Sequence, residues 1–96
     1  MGLTFKELVS EFISGASSGV SGGQANLKIS ESKLIHYETI IAERYNDKFI
    51  VNVTYYSIET GRLQKIILDL IPGNLLVKVK GIPQGYMDSL IPKIET

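Results

Sequence analysis

The chain has no cysteine, so a disulfide framework and a thiolate metal site are both excluded. It has no surplus of either charge, with ten basic residues, ten acidic residues and a formal net charge of zero. A protein that grips nucleic acid mainly through its phosphates is usually more basic. No apolar run exceeds three residues, as at Ile66-Ile67-Leu68. A membrane-crossing helix needs roughly 20. The N-terminus also lacks the pattern of a secretory signal, because Lys6, Glu7 and Glu11 interrupt its apolar positions. The expectation is a soluble intracellular protein. There is one histidine, and no internal repeat.

What is present suffices for one core. Ninety-six residues with 44% apolar content are expected to form a single domain over 1–96, since two cores would each be too small. Thr4 and Glu7 have the spacing of a capping box. Phe5, Leu8, Val9, Phe12 and Ile13 then fall on one helical stripe, and Gly15 is a natural stop. Residues 15–25, rich in glycine and serine, read as a flexible connection. They lack the strand–loop–helix order and the lysine of a phosphate-binding loop.

Four extended segments follow. Asn26–Ser30 places Leu27 and Ile29 on one face, and Glu31-Ser32 makes a turn. Lys33–Tyr37 and Thr39–Tyr45 form one bent strand or two, with a bulge or corner near Glu38. Asn46-Asp47 is a hairpin turn, because both residues tolerate positive φ. Lys48–Tyr56 is the strongest strand, rich in β-branched and aromatic residues. Thr60 is the expected N-cap of a second helix running to about Leu70, with the stripe Leu63, Ile66, Ile67, Leu70 and Ile71. Pro72-Gly73-Asn74 ends it. Leu75–Lys80 alternates apolar residues with Lys78 and Lys80 and reads as an edge strand. The tail 81–96 is too apolar to be solvated, so it packs on the sheet or on a second subunit. The fold class is therefore α+β: a short N-terminal helix, an antiparallel β-meander of three to four strands, a second amphipathic helix on the sheet, and a final edge strand.

Few residues suggest chemistry. His36 has no second histidine or acidic cluster at ligand spacing, so a packed or hydrogen-bonded strand histidine is the plainer reading. No metal, cofactor or catalytic set is expected, and the serines and threonines between Ser30 and Thr60 have no evident base beside them. The chain therefore reads as a non-enzyme, and His36 in a cleft with a carboxylate is the finding that would favour an enzyme. The Asn52-Val53-Thr54 sequon reads as chance. Lys65 and Asp69 are spaced for a helical ion pair. One polar corner stands out, where Tyr55, Tyr56, Ser57, Thr60, Arg62, Gln64 and Lys65 crowd a strand end and a helix start. Arg62 and Lys65 oppose the helix dipole there, and an anion such as phosphate would relieve that conflict. The tyrosines could stack on bases.

The stretch from Asn26 to Gln64 resembles a family of small uncharacterised proteins encoded by archaeal viruses, plasmids and bacteriophages. The resemblance is carried by Asn26, Leu27, Ile29, Leu34, Tyr37, Thr39, Ile41, Ala42, Arg44, Asn52, Tyr56, Ser57, Thr60 and Gln64. It covers about 40 residues and departs at Glu38, where the family often has glycine, and at Arg62-Leu63, where it often has Lys-His. It implies a mobile-element origin, a host-cell cytoplasmic location and no established activity. The candidate binding surface combines both lines: Arg44, Asn52, Tyr56, Ser57, Thr60, Arg62, Gln64 and Lys65. The function expected is a non-enzymatic interaction module working by protein–protein contact, self-association into a dimer included. The alternative is weak nucleic-acid binding through the 55–65 corner.

Overall fold

A computed structural model describes residues 4–20 and 27–94. It has an α+β fold with two helices and a six-stranded sheet. Helix α1 (Phe5–Ile13) begins with the expected capping box: Thr4 Oγ1 accepts from Glu7 N, and Glu7 Oε1 accepts from Thr4 N. Strands β1 (Ser18–Val20), β2 (Leu27–Ser30), β3 (Lys33–His36), β4 (Thr39–Tyr45) and β5 (Lys48–Asn52) form an antiparallel meander. Helix α2 (Ile58–Leu70) then crosses to β6 (Leu76–Val79), which lies parallel to β5 at the sheet edge.

Three expectations change here. Residues 18–20 are not part of a linker: they pair with β2, with Gly19 opposite Ile29. A Cβ at Gly19 would lie 2.9 Å from Leu8 Cδ1, so glycine is what lets α1 press on this strand. Residues 21–26, which hold the rest of the supposed linker and Asn26, lie outside the described residues. Second, the meander has five strands and the sheet is mixed, because a helix separates β5 from β6 and a crossover of that length permits parallel pairing. Third, α2 starts one turn earlier than expected. Ser57 is its N-cap, accepting from Thr60 N, and Thr60 is buried within the first turn.

The segment 33–45 is two strands, with a register shift between Leu34 and Ile35 and a turn at Tyr37-Glu38. Both turn residues have positive φ, 49° and 66°, where a type I′ turn normally holds asparagine and glycine. The turns at Glu31 and Asn46 also use left-handed residues, as expected of the latter.

The sheet buries both faces. Against one face lie α1 and α2, with Leu8, Phe12, Leu63 and Ile67 packed on Leu27, Leu34, Phe49 and Val51. On the other, Ile40, Ile50 and Val79 are covered by Ile82 and Leu90 of the tail. The apolar tail therefore packs on its own sheet. Glu43 anchors it: its buried carboxylate accepts from Ser89 Oγ at 2.9 Å and from Leu90 N at 2.6 Å. Main-chain contacts add Ile40 N to Tyr86 O at 2.8 Å, and Gly85 N donates to Thr39 Oγ1 at 2.8 Å.

The left-handed Glu38 yields a stability prediction. An L-residue in this region costs roughly 1–2 kcal/mol, and glycine gives back roughly 0.5–1 kcal/mol through the unfolded chain. Glu38→Gly is expected to raise the unfolding free energy by about 0.5–1 kcal/mol. Urea denaturation checks this, and an unchanged or lowered midpoint would mean that the turn is not strained at Glu38.

Candidate functional site

The 55–65 corner is a cleft. About 300 Å³ of space lies between the end of β3, the irregular exit from β5 and the start of α2. Its walls include His36, Tyr37, Tyr56, Ser57, Thr60 and Gln84. It forms because β5 ends at Asn52 and the chain must turn across the sheet to begin α2 at Ile58.

His36 is central and 2% exposed. Its Nε2 lies 3.1 Å from Glu59 Oε2, and its Nδ1 lies 3.3 Å from Thr60 Oγ1. A carboxylate only accepts, which assigns the proton to Nε2 and leaves Nδ1 to accept from the Thr60 hydroxyl. Thr60 Oγ1 in turn accepts from Ser57 Oγ at 3.1 Å. The result is one directed chain, from exposed Ser57 through buried Thr60 and His36 to the exposed carboxylate of Glu59. The imidazole is packed edge-on by Phe5 of α1 at 5.6 Å and by Tyr37 at 4.6 Å. Burial pulls the His36 pKa below its ordinary value, and Glu59 opposes that only in part.

His36 is thus the packed, hydrogen-bonded strand histidine that was expected, but the expectation that the neighbouring hydroxyls have no base beside them is corrected, since Thr60 Oγ1 lies 3.3 Å from His36 Nδ1. A histidine does sit in a cleft with a carboxylate and a hydroxyl, the elements of acid–base chemistry. The same contacts brace the start of α2 against the end of β3. Ser57 Oγ accepts from Thr60 N as the helix cap while its proton is directed to Thr60. No buried side-chain polar atom among the described residues lacks a partner. Nor does any group of three metal-ligating side chains occur among them.

The eight sequence-derived residues divide into four sets. Tyr56, Ser57 and Thr60 line the cleft. Asn52 and Gln64 stand behind it as internal joints. Asn52 Nδ2 donates to Ile40 O at 3.0 Å and to Tyr56 Oη at 2.9 Å, while Tyr56 Oη donates to Ile82 O at 2.5 Å. Gln64 Nε2 donates to the carbonyls of Asn52 at 2.7 Å and Thr54 at 2.8 Å. Arg62 and Lys65 are exposed on α2 and do not line the cleft. Arg44 is not at the corner. Its guanidinium donates to Phe12 O at 2.7 Å and Glu31 O at 2.8 Å and lies over the Phe12 ring, clamping the C-terminal end of α1 to the β2–β3 turn. Lys65 and Asp69 do not pair, since the only acid–base contact within 4 Å among the described residues is His36–Glu59. Asn52 of the sequon is fully buried.

His36, Tyr37 and Gln84 were not foreseen at this site. Only the exposed Tyr37 carried a signal, since it precedes Glu38 in the expected corner. No protein family matches the chain, and no curated protein or solved structure is similar to it.

The lowered pKa of His36 fixes the sign of a pH effect. The unfolded chain takes up a proton near pH 6.5, whereas the folded chain does so only at lower pH. Stability from neutral His36 is therefore complete above about pH 6.5 and declines as pH falls towards the folded pKa. His36→Gln should be less stable than the wild type at pH 8, with the gap narrowing by about pH 5.5. Urea midpoints of both proteins across this range test the assignment, and a gap that stays constant would contradict it.

Proposed function

We propose that the protein is a non-enzymatic interaction module of mobile-element origin that acts by protein–protein contact at the corner cleft, with a second copy of the chain as its partner. The observation that supports this is what the cleft leaves free. Its buried polar groups are used on one another, while Tyr55 is 75% exposed, Ile58 71% and Tyr37 54%. Tyr37 lines the cleft, and Tyr55 and Ile58 flank its lining residues Tyr56 and Ser57 in the chain. Aromatic and large apolar side chains around a recess are the groups that dominate protein interfaces. A surface with both a recess and projecting groups suits a two-fold contact with itself. The mobile-element origin, and with it a host-cell cytoplasmic location, rests on the sequence pattern between Asn26 and Gln64. Among the described residues no helix is long and apolar enough to cross a membrane.

Light scattering across micromolar concentrations tests the reading. The wild type should show a concentration-dependent dimer, and a Tyr55→Ser, Ile58→Ser variant should stay monomeric with an unchanged circular dichroism spectrum. A wild type that is monomeric throughout would remove self-association.

The alternative, weak nucleic-acid binding, draws on Arg62 and Lys65, both exposed on α2, and on Tyr55 as a stacking surface. Two cations give weak, salt-sensitive affinity. Labelled oligonucleotides should then bind at low salt and be lost by Arg62→Ala, Lys65→Ala. No anisotropy change at low salt would end this reading.

A further inference from the structure

The sheet ends at β6, and the outer edge of that strand is open. Val79 O accepts from Val53 N, so the peptide groups of Val79 are turned inward, towards β5 and its continuation. Strand alternation then turns the main-chain N–H and C=O of Lys78 and Lys80 outward, where no strand among the described residues meets them. Beside this edge runs a groove of about 390 Å³. Val77, Val79 and Ile94 supply apolar wall, and Lys78, Lys80 and Lys93 supply charge. Among the described residues no acidic one lines the groove, in a chain whose total charge is balanced.

Along β6 itself the two kinds of side chain are segregated, while Lys93 belongs to the tail. Lys78 is in register with Val51, on the side of the sheet that the helices cover. Val77 and Val79 are in register with Ile50 and Asn52, on the side that the tail covers, and both belong to the cluster packed by the tail, as does Ile94. An added strand would therefore meet positive charge on one of its faces and apolar surface on the other. A second copy of β6 is a poor occupant, because pairing two such edges sets lysine against lysine. The same lysines favour a strand of opposite charge.

We infer that this edge is a docking site for an extended acidic peptide, with carboxylates alternating with β-branched apolar residues, which adds a seventh strand to the sheet. Its backbone bonds to Lys78 and Lys80, its carboxylates meet the lysines, and its alternate apolar side chains lie against the half-buried Val77 and Ile94. None of the groove residues lines the corner cleft, so this surface stands or falls separately from the proposed dimer contact.

The test uses the whole chain and a fluorescein-labelled peptide of repeated Glu-Val, followed by anisotropy at low and moderate salt. A Lys-Val repeat is the charge control. Two peptides N-methylated at alternate residues, one in each register, report strand pairing, since only one edge of an added strand faces β6. The expected result is salt-sensitive binding of the Glu-Val peptide, none of the Lys-Val peptide, and a several-fold loss for one N-methyl register only. Amide exchange at Lys78 and Lys80 should slow in the complex. A Lys78→Glu, Lys80→Glu variant, changed only at exposed side chains, should exchange its preference to the Lys-Val peptide. Absence of binding at low salt would overturn the proposal. So would indifference to both N-methylated registers, or equal binding of oligothymidylate, either of which would make the lysines a general polyanion surface.

Discussion

Asn52 is the joint on which this structure depends. It is the last residue of β5 and is fully buried, where the sheet ends and the chain turns towards α2. Its carboxamide bonds Ile40 O on β4, Thr54 N in the exit segment and the hydroxyl of Tyr56, which passes on to Ile82 O in the tail. From the helix side, Gln64 takes the carbonyls of Asn52 and Thr54. A strand that stops inside a protein leaves main-chain groups that water cannot reach, and each left unpaired costs roughly 1–3 kcal/mol. Two amide side chains close that account for the sheet, the helix and the tail together.

The need behind this arrangement is coverage. The six-stranded sheet has two apolar faces, and both helices lie on one of them. The other face is covered by a mostly irregular segment with one short 3₁₀ turn, Ile91–Lys93. Irregular backbone satisfies only part of its own hydrogen-bonding groups, so side chains of β4 and of the β5 exit supply further partners. Thr39, Glu43, Thr54 and Tyr56 do this, at Gly85, Leu90, Ile82 N and Ile82 O. The buried polar residues of β4 and of the β5 exit thus follow from the choice of covering segment, and the corner cleft is a by-product of the same turn off the sheet.

Local features of the fold were legible because neighbouring residues determine them. The capping box of α1, the apolar stripes of both helices, the alternation in β2 and the turn at Asn46 all lie within a few positions of their cause. The start of α2 was misplaced because Ser57 and Thr60 are both good caps, and only the buried hydroxyl contact of Thr60 with His36 separates them. The strand at Ser18–Val20 was hidden because its stability comes from β2 and from the approach of Leu8 to Gly19, not from its own composition. The partners of His36 lie 23 and 24 residues away, and no spacing rule joins a strand end to a helix start at that distance. Arg44 is a similar case. Its place in the pattern suggested a surface role, whereas the fold directs it to a helix carbonyl and a turn carbonyl.

The order of strands across the sheet is the order along the chain. Nothing has to be inserted between strands already paired, so the first five can assemble in turn during synthesis. The β5 edge, with Phe49, Ile50 and Val51, then waits until α2 and β6 have been made. An apolar edge left open is the surface on which chains pair wrongly. In the finished sheet that edge is β6, a strand carrying Lys78. Its hazard of misassembly is thus concentrated in the interval between the emergence of β5 and that of β6, and a ribosome that slows within the α2 codons would lengthen that exposure.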